Sequence, residues 1–191
     1  MKLFSVIAFT AISSVSAIHA YSAVIGTPSP PEFAVLAGYG SSHPGLGETE
    51  TRVETVDLVL RGSSVLIDEV GASWYRGYHS LMVELPFHFF TDREEVPMIG
   101  LNFLATYTFT SLSFGQPYVF AGGGPLYIDA DIEGMGADWN GNYQFGAGVN
   151  FPLQNGRAFL VEARYHHVSN AGSSDPNIPL NSTKFLLGFT F

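Results

Sequence analysis

Several stretches of this sequence alternate apolar residues with small or polar ones over about ten positions, and turn-forming residues separate the stretches. The clearest stretch is 80–90, in which every second residue from Leu81 to Phe89 is apolar. Alternate side chains of a β-strand point to opposite faces of a sheet, so this stretch has one apolar face. The pattern recurs at 101–109, 142–151 and 183–191. A sandwich core would explain one such face, but not why so many strands share it.

Contact with lipid explains these apolar faces better. Aromatic residues make up 14% of the chain and charged residues 13%, whereas soluble domains carry about 25% charged residues. No apolar run after residue 20 approaches the ~18 residues that a membrane-spanning helix requires. A closed barrel is the other structure that pairs every backbone polar group inside a bilayer. We therefore expect an all-β fold, an eight-stranded antiparallel transmembrane β-barrel of the outer-membrane type.

The first residues predict export. Lys2 is the only charge ahead of the apolar stretch 3–12, and small residues follow with rival cleavage sites after Ala17 and Ala20. This arrangement is typical of a secretory signal peptide and is too short for a spanning helix. We predict a signal peptide at 1–20 and a single barrel domain at 21–191.

The strand boundaries follow from the alternation and the turn residues. The predicted strands are 32–40, 51–61, 79–90, 98–109, 117–127, 142–151, 158–170 and 181–191. The faces of the second strand are mixed, and the long connection 62–78 has room for further strand residues. Both termini of an even-stranded barrel lie in the periplasm, which assigns four connections to the cell exterior: 41–50, 91–97, 128–141 and 171–180.

The charge balance excludes several classes of function. The net charge of −9 argues against nucleic acid, because after the signal peptide only Lys184 and six arginines remain. Acidic residues gather at 48–57 and 129–138, which we interpret mostly as solvated loop charge. Bridging by divalent cations to lipopolysaccharide phosphates is the alternative. The absence of cysteine excludes disulfides and thiol chemistry.

The seventh predicted strand carries candidate chemistry. Its apolar row, which starts at Phe159 and continues every second residue to Tyr165, extends to His167 and Ser169. The alternate residues Glu162, Arg164 and His166 then point into the lumen. A histidine and a serine on one strand face are neighbours, and a nearby base can activate a serine hydroxyl. The pattern thus predicts an outward-facing pair at the end of the strand nearest the cell exterior, at the depth of the outer leaflet.

The segment 164–172 (RYHHVSNAG), followed by Asp175, Asn177 and Asn181, resembles the lipid A 3-O-deacylase (PagL) family. Stretches 34–40 (AVLAGYG) and 117–125 (PYVFAGGGP) are similar to the same family. The most specific part of the resemblance is the H-x-S-N motif before the last strand. The resemblance covers most of the mature chain. It implies an eight-stranded outer-membrane barrel that hydrolyses the ester-linked acyl chain at position 3 of lipid A.

The resemblance assigns the catalytic histidine and serine to His167 and Ser169. Where the family's best-known members have a glutamate, this sequence has Asn181 as we align it. An amide oxygen can accept the imidazole N–H, but an Asp-to-Asn change in a serine protease costs about 10⁴ in rate. Asp175, in the adjoining loop, is the alternative third member, and Glu162 is a poor one because it points inward.

The strand end after Ser169 is the predicted oxyanion site. Backbone N–H groups at Asn170, Ala171 and Gly172 leave the ladder there and become available as donors. The Asn170 side chain is a second candidate donor, or else a turn-forming residue. The expected partner is lipid A of lipopolysaccharide in the outer leaflet of the outer membrane. We expect no metal or cofactor, because a serine–histidine mechanism needs none.

Other interpretations stay open. One is a non-enzymatic barrel, either structural or an adhesin that displays acidic loops. Another is an acyltransferase whose site lies inside the barrel, at Glu84 or His88. A calcium loop at 129–140 is only weakly indicated, because its twelfth position is Asn140 rather than glutamate. Whether the chain forms a homodimer also stays open.

Overall fold

The computed structural model describes residues 31–92 and 95–191, and the predicted signal peptide lies outside these residues. The described chain forms nine strands and two short 3₁₀ turns. The strands are β1 (Glu32–Ser42), β2 (Glu54–Val70), β3 (Gly77–Phe90), β4 (Met98–Gly100), β5 (Asn102–Phe109), β6 (Gln116–Tyr127), β7 (Trp139–Pro152), β8 (Ala158–Ser169) and β9 (Leu180–Thr190). No helix in the described ranges is long and apolar enough to cross a membrane.

The sheet closes on itself. β1 pairs antiparallel with both β2 and the last strand β9, and each remaining strand pairs antiparallel with its neighbours in the wall. β4 and β5 are separated only by Leu101, and both lie between β3 and β6. These two therefore fill one place in the wall, and the barrel has the eight strands that the sequence predicts.

β2 is longer than the alternation indicates. It continues to Val70, through most of the connection that separates the second and third predicted strands. Register shifts against β3 lie between Val65 and Ile67 and between Ile67 and Val70. A bulge turns successive side chains out of strict alternation. A search for alternating residues therefore does not detect the part of β2 beyond these register shifts.

The outer wall of the barrel is apolar, as predicted. On β9, the side chains of Phe185, Leu187 and Phe189 point outward and are 63%, 55% and 57% exposed, while Lys184 and Leu186, at the alternate positions, are buried in the lumen. Such an alternation gives lipid an apolar surface and leaves the polar residues to the interior.

Charged side chains fill the lumen. Arg61 Nη2 lies 2.7 Å from both Glu84 Oε1 and Glu162 Oε2. Arg164 Nη1 lies 2.7 Å from Glu84 Oε2, and Arg164 also pairs with Glu162. Tyr118 donates a hydrogen bond of 2.6 Å to Glu162. Two positive and two negative charges thus balance in a packed interior, as expected of a narrow barrel.

A second lumen group corrects one sequence interpretation. Asp57 is fully buried, accepts a 2.7 Å hydrogen bond from Lys184 Nζ, and lies 2.8 Å from His88 Nδ1. The prediction of solvated loop charge at 48–57 is therefore wrong for Asp57, which belongs to β2 and neutralises a buried lysine. Glu84 and His88, the residues of the alternative interior site, are both buried and engaged in these ion pairs.

The two ends of the barrel differ. The connections 71–76, 110–115 and 153–157 at the end that holds Glu32 and Thr190 are short, whereas 43–53, 128–138 and 170–179 at the other end are longer. Two of the longer loops pair through Met135 and Asn177. An apolar cluster closes the lumen beneath them: Val53, Met98, Leu126, Ile128, Ile132, Val168 and Leu180. The longer loops therefore pack together around the end of β8.

Candidate active site

His167 and Ser169 lie on the outer face of β8, near the longer loops. Their neighbours His166 and Val168 are buried in the lumen, while both candidate residues are partly exposed. The His167 Nε2 atom lies 3.1 Å from Ser169 Oγ. The alternation of β8 therefore produces the outward pair that the sequence predicts, and its atoms are close enough to share a proton.

Asn181 completes a chain of three side chains. It pairs with His167 across the β8–β9 ladder, and its Oδ1 atom lies 2.7 Å from His167 Nδ1. Asp175, the alternative third member, is exposed in the loop, and the described residues show no hydrogen bond from it to His167. Glu162 is buried on the inner face, as expected. The structure thus places the amide beside the imidazole.

The Asn181 side chain is held by groups that sequence analysis missed. Its Nδ2 atom donates to the Leu46 carbonyl oxygen at 2.9 Å and to Thr49 Oγ1 at 2.8 Å. Its Oδ1 atom also accepts a 2.5 Å hydrogen bond from the Tyr165 hydroxyl. The alternation of β8 assigns Tyr165 only to the lipid-facing row, and no motif singles out Leu46 or Thr49. The fold of the β1–β2 loop over β9 brings Leu46 and Thr49 to Asn181, whereas Tyr165 reaches it from the neighbouring strand β8.

The predicted oxyanion donors need a correction. The Asn170 N–H donates to Asn177 Oδ1, and the Asn170 side chain donates to the Ser174 and Pro176 carbonyl oxygens. The Gly172 N–H donates to Asn170 Oδ1 at 2.9 Å. These donors are therefore used to build the loop, and Asn170, which is 5% exposed, forms its buried centre.

Ala171 is the remaining member of the predicted oxyanion group. Ala171 is exposed and has a φ of 54°, in the left-handed region that non-glycine residues rarely adopt. Within the described residues its N–H has no hydrogen-bond partner. Unusual backbone conformations of this kind often lie at functional sites. Of the three predicted donors, only this N–H is free to bind a substrate.

An apolar groove runs along the outer wall next to the pair. Tyr143 faces His167 across the β7–β8 ladder, with ring centroids 6.3 Å apart, and Phe145 stacks on Tyr165 at 5.0 Å. The groove is lined by Phe145, Gly146, Ala147, Ala163, Arg164, Tyr165 and Thr183. A lipid chain beside the barrel can therefore lie against the same wall that carries His167 and Ser169.

The arrangement suits nucleophilic catalysis. A hydrogen bond from Nδ1–H to Asn181 Oδ1 leaves the Nε2 lone pair to accept the Ser169 proton. A positioned base of this kind contributes about 10² to 10⁴ in rate. In the part of the chain that the structure describes, no three His, Asp or Glu side chains are grouped so that they could hold a metal ion.

Comparisons with known proteins identify a family and two similar structures. The family model for lipid A 3-O-deacylase (PagL) matches residues 60–190. Among solved structures, the outer membrane enzyme PagL is similar, with 20% sequence identity, a TM-score of 0.54, and coverage of 83% of this chain and 98% of that chain. Neisserial surface protein A (NspA) is also similar, with 13% identity, a TM-score of 0.54, and coverage of 86% and 98%. These structural likenesses show the shared barrel fold. No curated protein matches the sequence.

Proposed function

The chain belongs to the lipid A 3-O-deacylase (PagL) family, and we propose that it is an outer-membrane esterase that removes the ester-linked acyl chain at position 3 of lipid A. The proposed catalytic residues are Ser169 as nucleophile, His167 as general base and acid, and Asn181 as the residue that orients the imidazole. The observation that carries this proposal is the 3.1 Å separation of His167 Nε2 and Ser169 Oγ on the outer wall of the barrel.

In the first half of the proposed reaction, Ser169 Oγ attacks the ester carbonyl carbon while its proton passes to His167 Nε2. The Ala171 N–H, exposed next to the strand end, supports the negative charge on the carbonyl oxygen. When the tetrahedral intermediate collapses, the bond to the sugar oxygen breaks. That oxygen takes the proton from His167, which leaves the acyl chain on Ser169.

In the second half, water attacks the acyl-enzyme. His167 Nε2 takes a proton from the water, and the hydroxide oxygen bonds to the carbonyl carbon. The intermediate collapses with return of the proton to Ser169 Oγ and release of the fatty acid. Asn181 Oδ1 accepts the Nδ1–H hydrogen bond throughout, so the imidazole stays aligned with the serine.

We also propose a location for the site. With residues 1–20 removed as a signal peptide and both termini in the periplasm, the longer loops face the cell exterior. His167 and Ser169 then lie at the depth of the outer leaflet, in which lipid A resides. The acyl chain would extend down the apolar groove beside Ala163. Neither comparison supports a dimer, and the proposed reaction needs residues of one chain only.

Expression in a Gram-negative host, followed by mass spectrometry of lipid A, tests the proposal. We expect wild type to give lipid A that lacks one ester-linked acyl chain, and Ser169→Ala to give unmodified lipid A. Ser173→Ala is a matched control, because Ser173 is exposed in the next loop and its main-chain N–H bonds to Asn170 O. Identical spectra with and without the wild-type protein would favour a non-enzymatic barrel.

A further inference from the structure

An amide beside the catalytic histidine raises the question of which end of the amide faces the ring. Asn181 carries an acceptor, Oδ1, and a donor, Nδ2. If Nδ2 faced His167, the ring would accept at Nδ1 and carry its proton on Nε2. A protonated Nε2 cannot take the proton of Ser169, so this tautomer has no general base. The orientation of one amide therefore decides whether the proposed mechanism can operate.

The surroundings of Asn181 fix that orientation. The Leu46 carbonyl oxygen can only accept, so the amide atom 2.9 Å from it is a donor. Thr49 Oγ1 lies 2.8 Å from the same Nδ2 atom and 2.9 Å from the Asn181 main-chain N–H. On the other side, the Tyr165 hydroxyl donates to Oδ1. Of these contacts, the Leu46 carbonyl oxygen selects the orientation that turns Oδ1 toward His167, because it cannot donate, and the two hydroxyls, which can donate or accept, hold the amide in that orientation.

Hydrogen bonds of the β1–β2 loop place Thr49 next to Asn181. The His43 N–H donates to the Asn181 carbonyl oxygen at 3.0 Å, which joins the start of the loop to β9. Within the loop, the Gly45 N–H donates to the Thr49 carbonyl oxygen at 2.9 Å. Thr49 is only 2% exposed, although all five residues before it are exposed. Among the described residues, Thr49 Oγ1 hydrogen-bonds only to Asn181.

We propose that Thr49 is a positioning residue: its hydroxyl holds the Asn181 amide with Oδ1 toward His167 and thereby keeps His167 in the Nδ1–H tautomer. This inference rests on the proposed function and adds a residue to it. It also explains how the site works with an amide in place of a carboxylate. A carboxylate presents an acceptor whichever way it is turned, whereas an amide must be locked in one orientation.

Steady-state kinetics with Thr49→Val and Thr49→Ser tests the proposal. Valine keeps the shape but lacks the hydroxyl, and the Leu46 carbonyl still holds one side of the amide. Thr49→Val removes the hydrogen bonds to Asn181 Nδ2 and to the Asn181 main-chain N–H. We expect kcat to fall about tenfold, the effect of losing the bond that holds the amide, with KM unchanged. Thr49→Ser should keep the wild-type kcat. The matched control is Thr51→Val, because Thr51 Oγ1 donates to the Glu133 carbonyl oxygen and does not touch Asn181. If Thr49→Val does not fold, Thr49→Ala replaces it.

The ¹⁵N chemical shifts of the His167 ring give a readout that a merely structural role would not change. We expect the Nδ1–H tautomer in wild type, Thr49→Ser and Thr51→Val, and an increased share of Nε2–H in Thr49→Val. An unchanged tautomer together with an unchanged kcat in Thr49→Val would overturn the inference. If wild type releases no acyl chain, the proposed function fails, while the ring spectra still decide the role of Thr49.

Discussion

Gly47 lies so close to Asn181 that a methyl group on its Cα would come within 3.1 Å of Asn181 Nδ2. The contact shows how tightly the β1–β2 loop packs on the third member of the proposed catalytic group. Gly47 also has a φ of 60°, in the left-handed region. Gly45, two residues earlier, has a φ of 88° but no atom within 4 Å of the same methyl position. Both glycines therefore have a left-handed backbone, but only Gly47 lies next to Asn181.

Gly47→Ala should therefore lower kcat several-fold, whereas Gly45→Ala should not. Both variants carry a left-handed alanine, which costs about 1–2 kcal/mol, so similar losses of stability are expected. Only the methyl group at position 47 displaces the amide that orients His167. Deacylation rates, normalised to the folded fraction from urea titrations, measure the difference. Equal kcat values for the two variants would contradict the role assigned to this loop.

Asn181→Asp should destabilise the protein, although a carboxylate is the usual third member of such a group. One carboxylate oxygen would replace Nδ2 and lie against the Leu46 carbonyl oxygen, which now accepts a 2.9 Å hydrogen bond. Two acceptors with no proton between them would replace this hydrogen bond at the buried Asn181 side chain, at a cost of about 1–3 kcal/mol, and the added negative charge adds to this cost. The midpoint of urea unfolding in detergent micelles measures the loss.

Asn181→Ala is the control for this comparison, because it removes the same hydrogen bonds without adding charge. We expect Asn181→Asp to be at least as unstable as Asn181→Ala. An aspartate variant as stable as wild type would show that the site accepts a carboxylate. The surroundings of residue 181 would then not be specific for an amide.

The sequence is sufficient to predict which side chains of a strand face the lumen and which face the lipid, but not which loops cover them. On β8 the two-residue period places Glu162 in the lumen and His167 outside, because this strand alternates without a bulge. Asn181 is on the predicted face as well. Its burial to 4% exposure is not predictable, since it depends on a loop more than 130 residues away in the sequence. Loop conformations depend on tertiary contacts that no local period encodes.

The prediction of free donors at Asn170 and Gly172 was wrong for a related reason. The end of a strand does release backbone N–H groups, but a buried polar group must find a partner. Two asparagine side chains supply the partners, as asparagine commonly does in turns: Asn170 Oδ1 accepts from the Gly172 N–H, and Asn177 Oδ1 accepts from the Asn170 N–H. The extension of β2 was missed because bulges interrupt its alternation. In each case the deviation lies where the backbone departs from regular strand geometry.

Tyr165→Phe should lower kcat modestly while leaving stability nearly unchanged. The change removes the hydrogen bond to Asn181 Oδ1 but keeps the ring that stacks on Phe145 at 5.0 Å. Oδ1 still accepts the hydrogen bond from His167. We therefore expect kcat to fall by less than about tenfold, which is the effect expected for the loss of one full hydrogen bond. Tyr143→Phe is the control, because its ring also faces this wall and the described contacts of Tyr143 are through the ring. A wild-type kcat in Tyr165→Phe would exclude the hydroxyl from the positioning of Asn181.

Glu84→Gln should destabilise the barrel without changing the rate of the folded enzyme. Glu84 is fully buried and neutralises both Arg61 and Arg164, so its loss leaves Glu162 alone with two positive charges. Removing one member of a buried charge network costs about 3–5 kcal/mol. The network lies on the inner face of the wall, away from Ser169, so deacylation per folded molecule should be preserved.

Glu54→Gln provides the matched control for the lumen network. Glu54 pairs with Arg52 at 3.2 Å, but the two side chains are 34% and 61% exposed. Exposed pairs contribute about 0–1 kcal/mol, so this variant should unfold near the wild-type urea concentration. A stable Glu84→Gln barrel would mean that its buried arginines find other partners or water. A folded but inactive Glu84→Gln protein would instead favour the interior site, because only then would the chemistry depend on a residue that faces the lumen.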